Sequence, residues 1–210
     1  MRARQHVNPL SLVFETYQGT KIKSDLPLEV EIGCADAQFL FQKAEADPNK
    51  AYIGLEIRER LVDEVNQRAK REKKNVKALF CNASLHLTTI FDEHSIERVF
   101  INFPDPWFKS RHHKRRMVNQ ELLEQLSKVV KKDGEVFFQS DVWDVALETL
   151  ELFEQNNHLY ENQAGDWSFW KQGNPYGVRS WREENAANTG LDVWRLMYKR
   201  RNVLLDEVKD

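Results

Sequence analysis

The sequence predicts an α/β protein built on one mostly parallel, doubly wound sheet, and two observations carry that prediction. Short apolar, β-branched runs recur as "LPLEVEIG", "AYIGLEI", "VKALFCN", "RVFINF" and "GEVFFQSD". Between them the apolar residues return at helical spacing, as at Leu61, Val65 and Ala69 and again at Leu122, Leu126, Val129 and Val130. Parallel neighbours need crossovers, and a sheet connected in that way is covered by helices on both faces.

Taken in order, "VEIGCADAQFL" is a strand, a turn of small residues and the start of a helix. "AYIGLEI", "VKALFCN" and "RVFINF" are the next three strands, and "KKDGEVFFQSD" predicts a helix ending near Asp133 and Gly134 before a fifth strand. After about Asn156 the rhythm is lost, and 164–190, rich in glycine and tryptophan, reads as a long substrate-side loop or lid. "LDVWRLMYKRR" restores an alternating strand near the C-terminus. The domain boundaries that follow are a basic arm over 1–25, a single domain over 26–202 and a charged tail over 203–210.

The 210 residues suit one domain, and a formal charge of −2 excludes a generally polycationic nucleic-acid coat, so an anionic partner has to be met by local patches. Cys34 and Cys81 sit in apolar runs without metal-ligand spacing, so buried reduced thiols are expected and no metal site. No stretch approaches the roughly 18 apolar residues of a membrane span, and the expected location is the cytoplasm.

The first strand-turn-helix is where an open α/β sheet binds a nucleotide-like ligand. Glu56, at the carboxyl end of the second strand, is placed to accept both hydroxyl hydrogens of a ribose, although the two features also read as a tight βα turn with a surface glutamate. Only Gly33 of the turn is glycine, with Ala35 and Ala37 at the following small positions, so a dinucleotide pyrophosphate is disfavoured. A ligand with one nucleoside and no phosphate, such as S-adenosylmethionine, fits better. At the end of the third strand the Asn82 side chain and the Ala83 N–H can serve an adenine edge, although Asn82 alone also reads as a turn residue. Glu31 is a carboxylate heading into the core, where it either meets the ligand's amino-acid portion, supports the glycine turn or forms a plain salt bridge.

"NFPDPWFKSRHHKRRM" follows the fourth strand on the same rim. Pro104 and Pro106 restrict the backbone around Asp105. Lys109, Arg111, His112, His113, Lys114, Arg115 and Arg116 then crowd together, interleaved at the start with Trp107 and Phe108. Such a run is often a solvated face; on a ligand rim it reads as a nucleic-acid backbone contact. A carboxylate among phosphate-binding cations is useful against a base, since guanine presents N1–H and N2–H2 on one edge while N7 faces away. Methyl transfer to N7 would need no general base, and a nearby carboxylate would stabilise the cation that develops.

This segment closely resembles the hallmark of the tRNA (guanine-N7)-methyltransferase family, and "RQHVNPL", "VEIGCADAQFL", "YIGLEIRERLV", "LFCNAS", "GEVFFQSD" and "SWREENAANTGLDVWRLMYKR" resemble family segments in the expected order. The likeness covers nearly the whole chain and looks closest to the cyanobacterial and plant type. It implies a Rossmann-like class I methyltransferase fold with an antiparallel C-terminal strand, S-adenosylmethionine as cofactor, and methylation of a guanine in the tRNA variable loop. Carried over by resemblance, Glu31, Gly33, Glu56, Asn82, Ala83 and Asp105 line the cofactor site, with Asp105 also the catalytic acid. Lys109, Asp141, Ser180, Trp181, Arg182 and Glu183 contact the guanosine, while Arg111, His112, His113, Lys114, Arg115 and Arg116 meet tRNA. The family includes monomers and homodimers, and no obligate partner chain is implied.

The chain departs from the family pattern at Ala37, where many members have glycine, at Asp36, at Asn82 in place of aspartate, and at Ser180 in place of threonine. The altered turn leaves open a noncatalytic RNA-binding protein that keeps the fold, and a methyltransferase for another RNA is the second alternative. By residue type alone Asp141 reads as a cap for the helix "VWDVALETLELF". Trp167, Trp170 and Trp181 would either pack the lid onto the core or stack on an unpaired base.

Overall fold

The apolar runs become strands because each can be buried on both faces at once. Strand β1 (Leu28–Ile32) is buried at every position, as a central parallel strand requires. In the computed structural model, which describes residue 17 and residues 19–202, it is flanked by β2 (Ala51–Glu56) and β4 (Ile96–Asn102). The strands β3 (Val76–Phe80), β5 (Val130–Ser140), β6 (Tyr160–Asn162) and β7 (Trp194–Arg200) complete a sheet of order β3-β2-β1-β4-β5-β7-β6. β1 to β5 are parallel, and β7 is antiparallel to both β5 and β6. Most of the expected arm over 1–25, and the whole of the tail 203–210, lie outside the described residues.

Helices α1 (Gln38–Ala46) and α2 (Glu59–Glu72) cover one face, and α3 (Ala83–Ile90), α4 (Gln120–Val129) and α5 (Trp143–Gln155) cover the other. The core is correspondingly double. Leu87, Leu122, Leu126 and Leu150 pack on Val30, Val99, Ile101 and Phe138, while Phe39, Leu40 and Val65 pack on Tyr52, Phe100 and Phe137. Among the described residues no helix is long and apolar enough to cross a membrane.

The α1 face of the sheet is graded along the strands. At the amino ends Glu29, Arg98 and Glu135 form an ionic layer, in which fully buried Glu29 meets Lys43, Lys50 and Arg98. Phe100, Phe137 and the ring of Tyr176 form an aromatic middle with edge-to-face contacts. At the carboxyl ends the same face turns polar again with Glu31, Asn102, Gln139 and Arg195, and these residues reach the candidate site.

Two segments differ from the expectation. The helix does not reach Asp133: α4 ends at Val129, and β5 begins at Val130. Between the pairs Ile96↔Val130 and Arg98↔Glu135 the fifth strand spends three more residues than the fourth, with Asp133 at φ 60°. This bulge needs Gly134, because a Cβ there would lie 2.7 Å from Val130 Cγ1 and 2.9 Å from the Lys131 carbonyl. The stretch 164–190 is not wholly irregular either. Helix α6 (Trp181–Thr189) begins where the Ser180 side chain accepts from the Glu183 N–H at 3.2 Å and ends at Gly190, φ 69°. "SWRE" is the sequence signal for that start, a serine with glutamate three residues on.

Candidate active site

The chain reverses its direction of travel across the sheet between β1 and β4, so a crevice opens at their carboxyl ends. The turn after β1 lines it. Gly33 has φ 76°, and a Cβ on it would sit 2.9 Å from Met117 Cε. Ala35 and Ala37 adopt φ 51° and 53°, the left-handed conformation that a glycine would reach more easily. An alanine there costs about 1–2 kcal/mol, and local bonds offset it: Ala35 N–H donates to Glu56 Oε2 at 2.9 Å and Ala37 N–H to the Cys34 carbonyl at 2.8 Å. The turn therefore keeps its shape with alanine at both positions. Cys34 is a buried thiol, as is Cys81, and burial pushes both thiols above their ordinary range.

The acids of this half-site differ in what they already hold. Glu56 is saturated: its two oxygens accept from the N–H groups of Ala35, Ile57 and Arg58 and from Nε and Nη2 of Arg58, at 2.8–3.1 Å. The open ribose acceptor expected there is instead closed by the Arg58 fork, which lies on the crevice side near enough to Asp105 for that carboxylate to help stabilise its charge. Glu31 is the reverse case. It is 4% exposed, its Oε1 accepts from Asn102 Nδ2 at 2.8 Å, and its Oε2 is buried with no hydrogen-bond partner among the described residues. Burial, with Asp36 and Glu56 adding to it, pushes this carboxyl up to about 8. Asn82 caps α3 through Ser84 N–H at 3.2 Å, and Ala83 is the first, buried residue of that helix.

Asp105 follows β4. Phe103 at φ 50° and Trp107 at φ 44° put a left-handed bend on each side of Pro104-Asp105-Pro106, a conformation costly for bulky residues and typical of functional sites. The basic segment folds back to hold this bracket. Ser110–Arg115 form a 3-10 helix, Arg115 lies over the Trp107 ring at 5.1 Å, and His112 meets that ring edge-on. Arg116 is buried: its Nε donates to the Pro106 carbonyl at 2.9 Å, and its guanidinium pairs with Glu148 of α5. Arg116 was expected to meet tRNA; it is spent inside the protein, as Arg115 partly is, because a cation next to an exposed carbonyl and carboxylate finds partners within the fold. Lys109, Arg111 and Lys114 remain exposed, and partial burial, with the cations Arg115, Arg111 and Lys109 adding to it, lowers the His112 imidazole below its ordinary range.

The third part of the rim joins β5, α6 and β7. Asp141 does not cap α5, whose N-cap is Val142 without a side-chain bond. Its Oδ2 instead accepts from Arg182 Nε and Nη2 at 2.9 and 2.7 Å, which brings together two residues 41 positions apart. Glu183, 2% exposed, accepts from Gln139, Asn174 and Arg195. Trp170 packs on the core and donates to the Gly173 carbonyl, while Trp167 and Trp181 are 60% and 59% exposed. Asn102, Gln139, Arg195, Arg58 and Glu148 escaped the sequence reading. For Asn102 and Gln139 the signal was present as a polar residue closing an otherwise apolar strand.

A family model described as "Putative methyltransferase" matches residues 25–196. A tRNA (guanine-N(7)-)-methyltransferase of Synechococcus elongatus is 41% identical over 211 residues, covering 96% of this chain and 97% of that protein. One of Nostoc sp. is 38% identical over 210 residues, with 95% and 94% covered. The chain belongs to the tRNA (guanine-N7)-methyltransferase family. Among solved structures, geranyl diphosphate C-methyltransferase of Streptomyces coelicolor, in a complex with S-adenosyl-L-homocysteine, shares the fold at TM-score 0.50 and 15% identity over 88% of this chain and 76% of that one. The expected class I methyltransferase architecture is thus present, with its antiparallel C-terminal strand β7. As a tRNA (guanine-N7)-methyltransferase the chain carries its polar cluster at the rim where that architecture binds ligands.

Proposed function

We propose that this tRNA (guanine-N7)-methyltransferase docks tRNA on Lys109, Arg111 and Lys114 and alkylates a variable-loop guanine held between Asp105 and the Asp141–Arg182 pair. The reaction class is that of its family: N7 of a tRNA guanine is methylated, and S-adenosylmethionine is the donor. Bound cofactor supplies an electrophilic methyl on a sulfonium. The guanine N7 lone pair would accept that methyl without losing a proton, and the side chains here would face a base that becomes cationic.

The residues fit both ligands. The open, buried Oε2 of Glu31 suits the cofactor's cationic amino group, which would turn the carboxyl into a carboxylate. Gly33 gives the turn its left-handed bend at φ 76°, and Asn82 and Ala83 stand at the adenine end. At Glu56 a ribose would take the place of the Arg58 fork. Asp105 accepts from the N1–H and N2–H2 edge of guanine and offsets the positive charge that grows on the purine. N7 loses no proton, so the side chains need only orient the base in line and exclude competing poses. The observation that carries this reading is the bracketed Asp105, held by Arg116 on the same rim as the open Glu31 oxygen.

The test is methyl transfer from labelled S-adenosylmethionine to unmodified tRNA, with digestion and mass spectrometry of the product. Label appears in 7-methylguanosine of the variable loop, and Asp105→Ala lowers kcat by about 100-fold or more while tRNA affinity changes little. Full activity in Asp105→Ala would remove it from the reaction centre.

A further inference from the structure

Along the carboxyl ends of β1, β4 and β5 and the amino end of the antiparallel β7 runs an unbroken chain of hydrogen bonds. Asn102 Nδ2 donates to Glu31 Oε1 at 2.8 Å. Gln139 Nε2 donates to Asn102 Oδ1 at 2.9 Å and to Glu183 Oε2 at 3.1 Å. Arg195 closes it, with Nε to Gln139 Oε1 at 3.3 Å and Nη2 to Glu183 Oε1 at 2.8 Å. The register explains why these residues meet: Asn102 pairs with Gln139 and Gln139 with Arg195, so all three project from one face. Gln139 is fully buried, and every polar atom of its amide is used in the chain. The one open position lies at the end, Glu31 Oε2.

We propose that Asn102 and Gln139 are positioning residues that couple the cofactor end of the site at Glu31 to the guanosine end at α6. The proposal deepens the functional reading above and rests on it. Without a cation beside it, burial keeps the Glu31 carboxyl largely protonated at neutral pH. Pairing Oε2 with a cationic amino group makes Glu31 a full carboxylate, and a hydrogen bond to a charged acceptor is roughly twice as strong as a neutral one. Asn102 is then held more firmly in the orientation that presents Oδ1 to Gln139, and Gln139 in the orientation that presents Nε2 to Glu183. Glu183 sits in the first turn of α6, next to Arg182, whose guanidinium orders Asp141. Occupying the cofactor end thus orders the residues that receive the base, and linkage makes the effect reciprocal.

The test measures tRNA binding with and without saturating S-adenosylhomocysteine, in the unaltered protein and in Gln139→Leu and Asn102→Leu, with circular dichroism and thermal melting to confirm folding. The unaltered protein binds tRNA about 5- to 100-fold tighter with S-adenosylhomocysteine present, and tRNA tightens S-adenosylhomocysteine by the same factor. In each variant the factor falls to within about twofold of unity, although either ligand alone binds within about fivefold of its original affinity. A purely structural role would weaken each binding and leave the factor unchanged, so an unchanged factor in both folded variants overturns the proposal. A factor of one in an unaltered protein that forms 7-methylguanosine overturns it as well, leaving the functional reading intact. Absence of both binding and 7-methylguanosine overturns the two together.

Discussion

The Arg116 guanidinium donates to the Pro106 carbonyl at 2.9 Å and pairs with Glu148, so the last cation of the basic segment holds the loop of Asp105. The segment thereby divides into cations that shape the site and cations that face solvent. Replacing Arg111 or Lys114 by Ala weakens tRNA binding and lowers the slope of log K against log salt by about one each. Arg116→Met leaves that slope unchanged and lowers both kcat and the melting temperature. Titrations at several salt concentrations, alongside kinetics, separate the two classes.

The Asp141–Arg182 pair acts as one unit, since both guanidinium nitrogens reach the same oxygen. Arg182→Ala and Asp141→Ala each raise KM for tRNA, by roughly tenfold if one charge-assisted contact to the base is lost. The double variant is scarcely worse than either alone. Additive losses would show that the two residues serve the substrate separately.

The buried Glu31 gives the cofactor-free protein a specific pH dependence. Its folded-state carboxyl is raised to about 8 from 4.5, so the folded chain holds this proton more tightly than the unfolded chain. The contribution is complete below about 4.5 and is lost as pH rises towards about 8, so stability falls with pH across that window. Glu31→Gln removes the slope and raises the melting temperature at pH 8 by about 3 °C or more, while S-adenosylhomocysteine binding is lost. Melting curves between pH 5 and about 9 follow the effect.

Neighbouring turn positions respond with opposite signs. Ala35→Gly relieves a left-handed alanine at φ 51° and stabilises by about 0.5–1 kcal/mol, a rise of about 1–4 °C in melting temperature. Gly33→Ala forces a Cβ to 2.9 Å from Met117 Cε at φ 76°, and it lowers both stability and S-adenosylhomocysteine affinity. Melting and calorimetric titration of the two variants check both signs.

Much of the fold was legible because it rests on local periodicity. The runs around Val30, Ile53, Ala78, Val99 and Phe138 could be read as buried strands, and Leu122 and Leu126 as a helix, from neighbours within a few residues. The Asp133 bulge and helix α6 were misread for a related reason. An Asp-Gly pair serves a helix end and a bulge equally well, and the glycines and tryptophans of 164–190 masked the short "SWRE" start signal.

The sequence by itself determined the order of the five parallel strands, the small-residue turn at Gly33 and the placing of Asp105 at the end of β4, since each follows from residues adjacent in the chain. Only the tertiary structure decided that Glu56 is closed by Arg58, that Glu31 keeps one oxygen open, that Arg116 turns inward, and that Asn102, Gln139, Arg195 and Glu183 form one chain. Those outcomes depend on strand register and helix docking between segments far apart in sequence, and a charged side chain takes whichever partner that packing brings within about 3 Å.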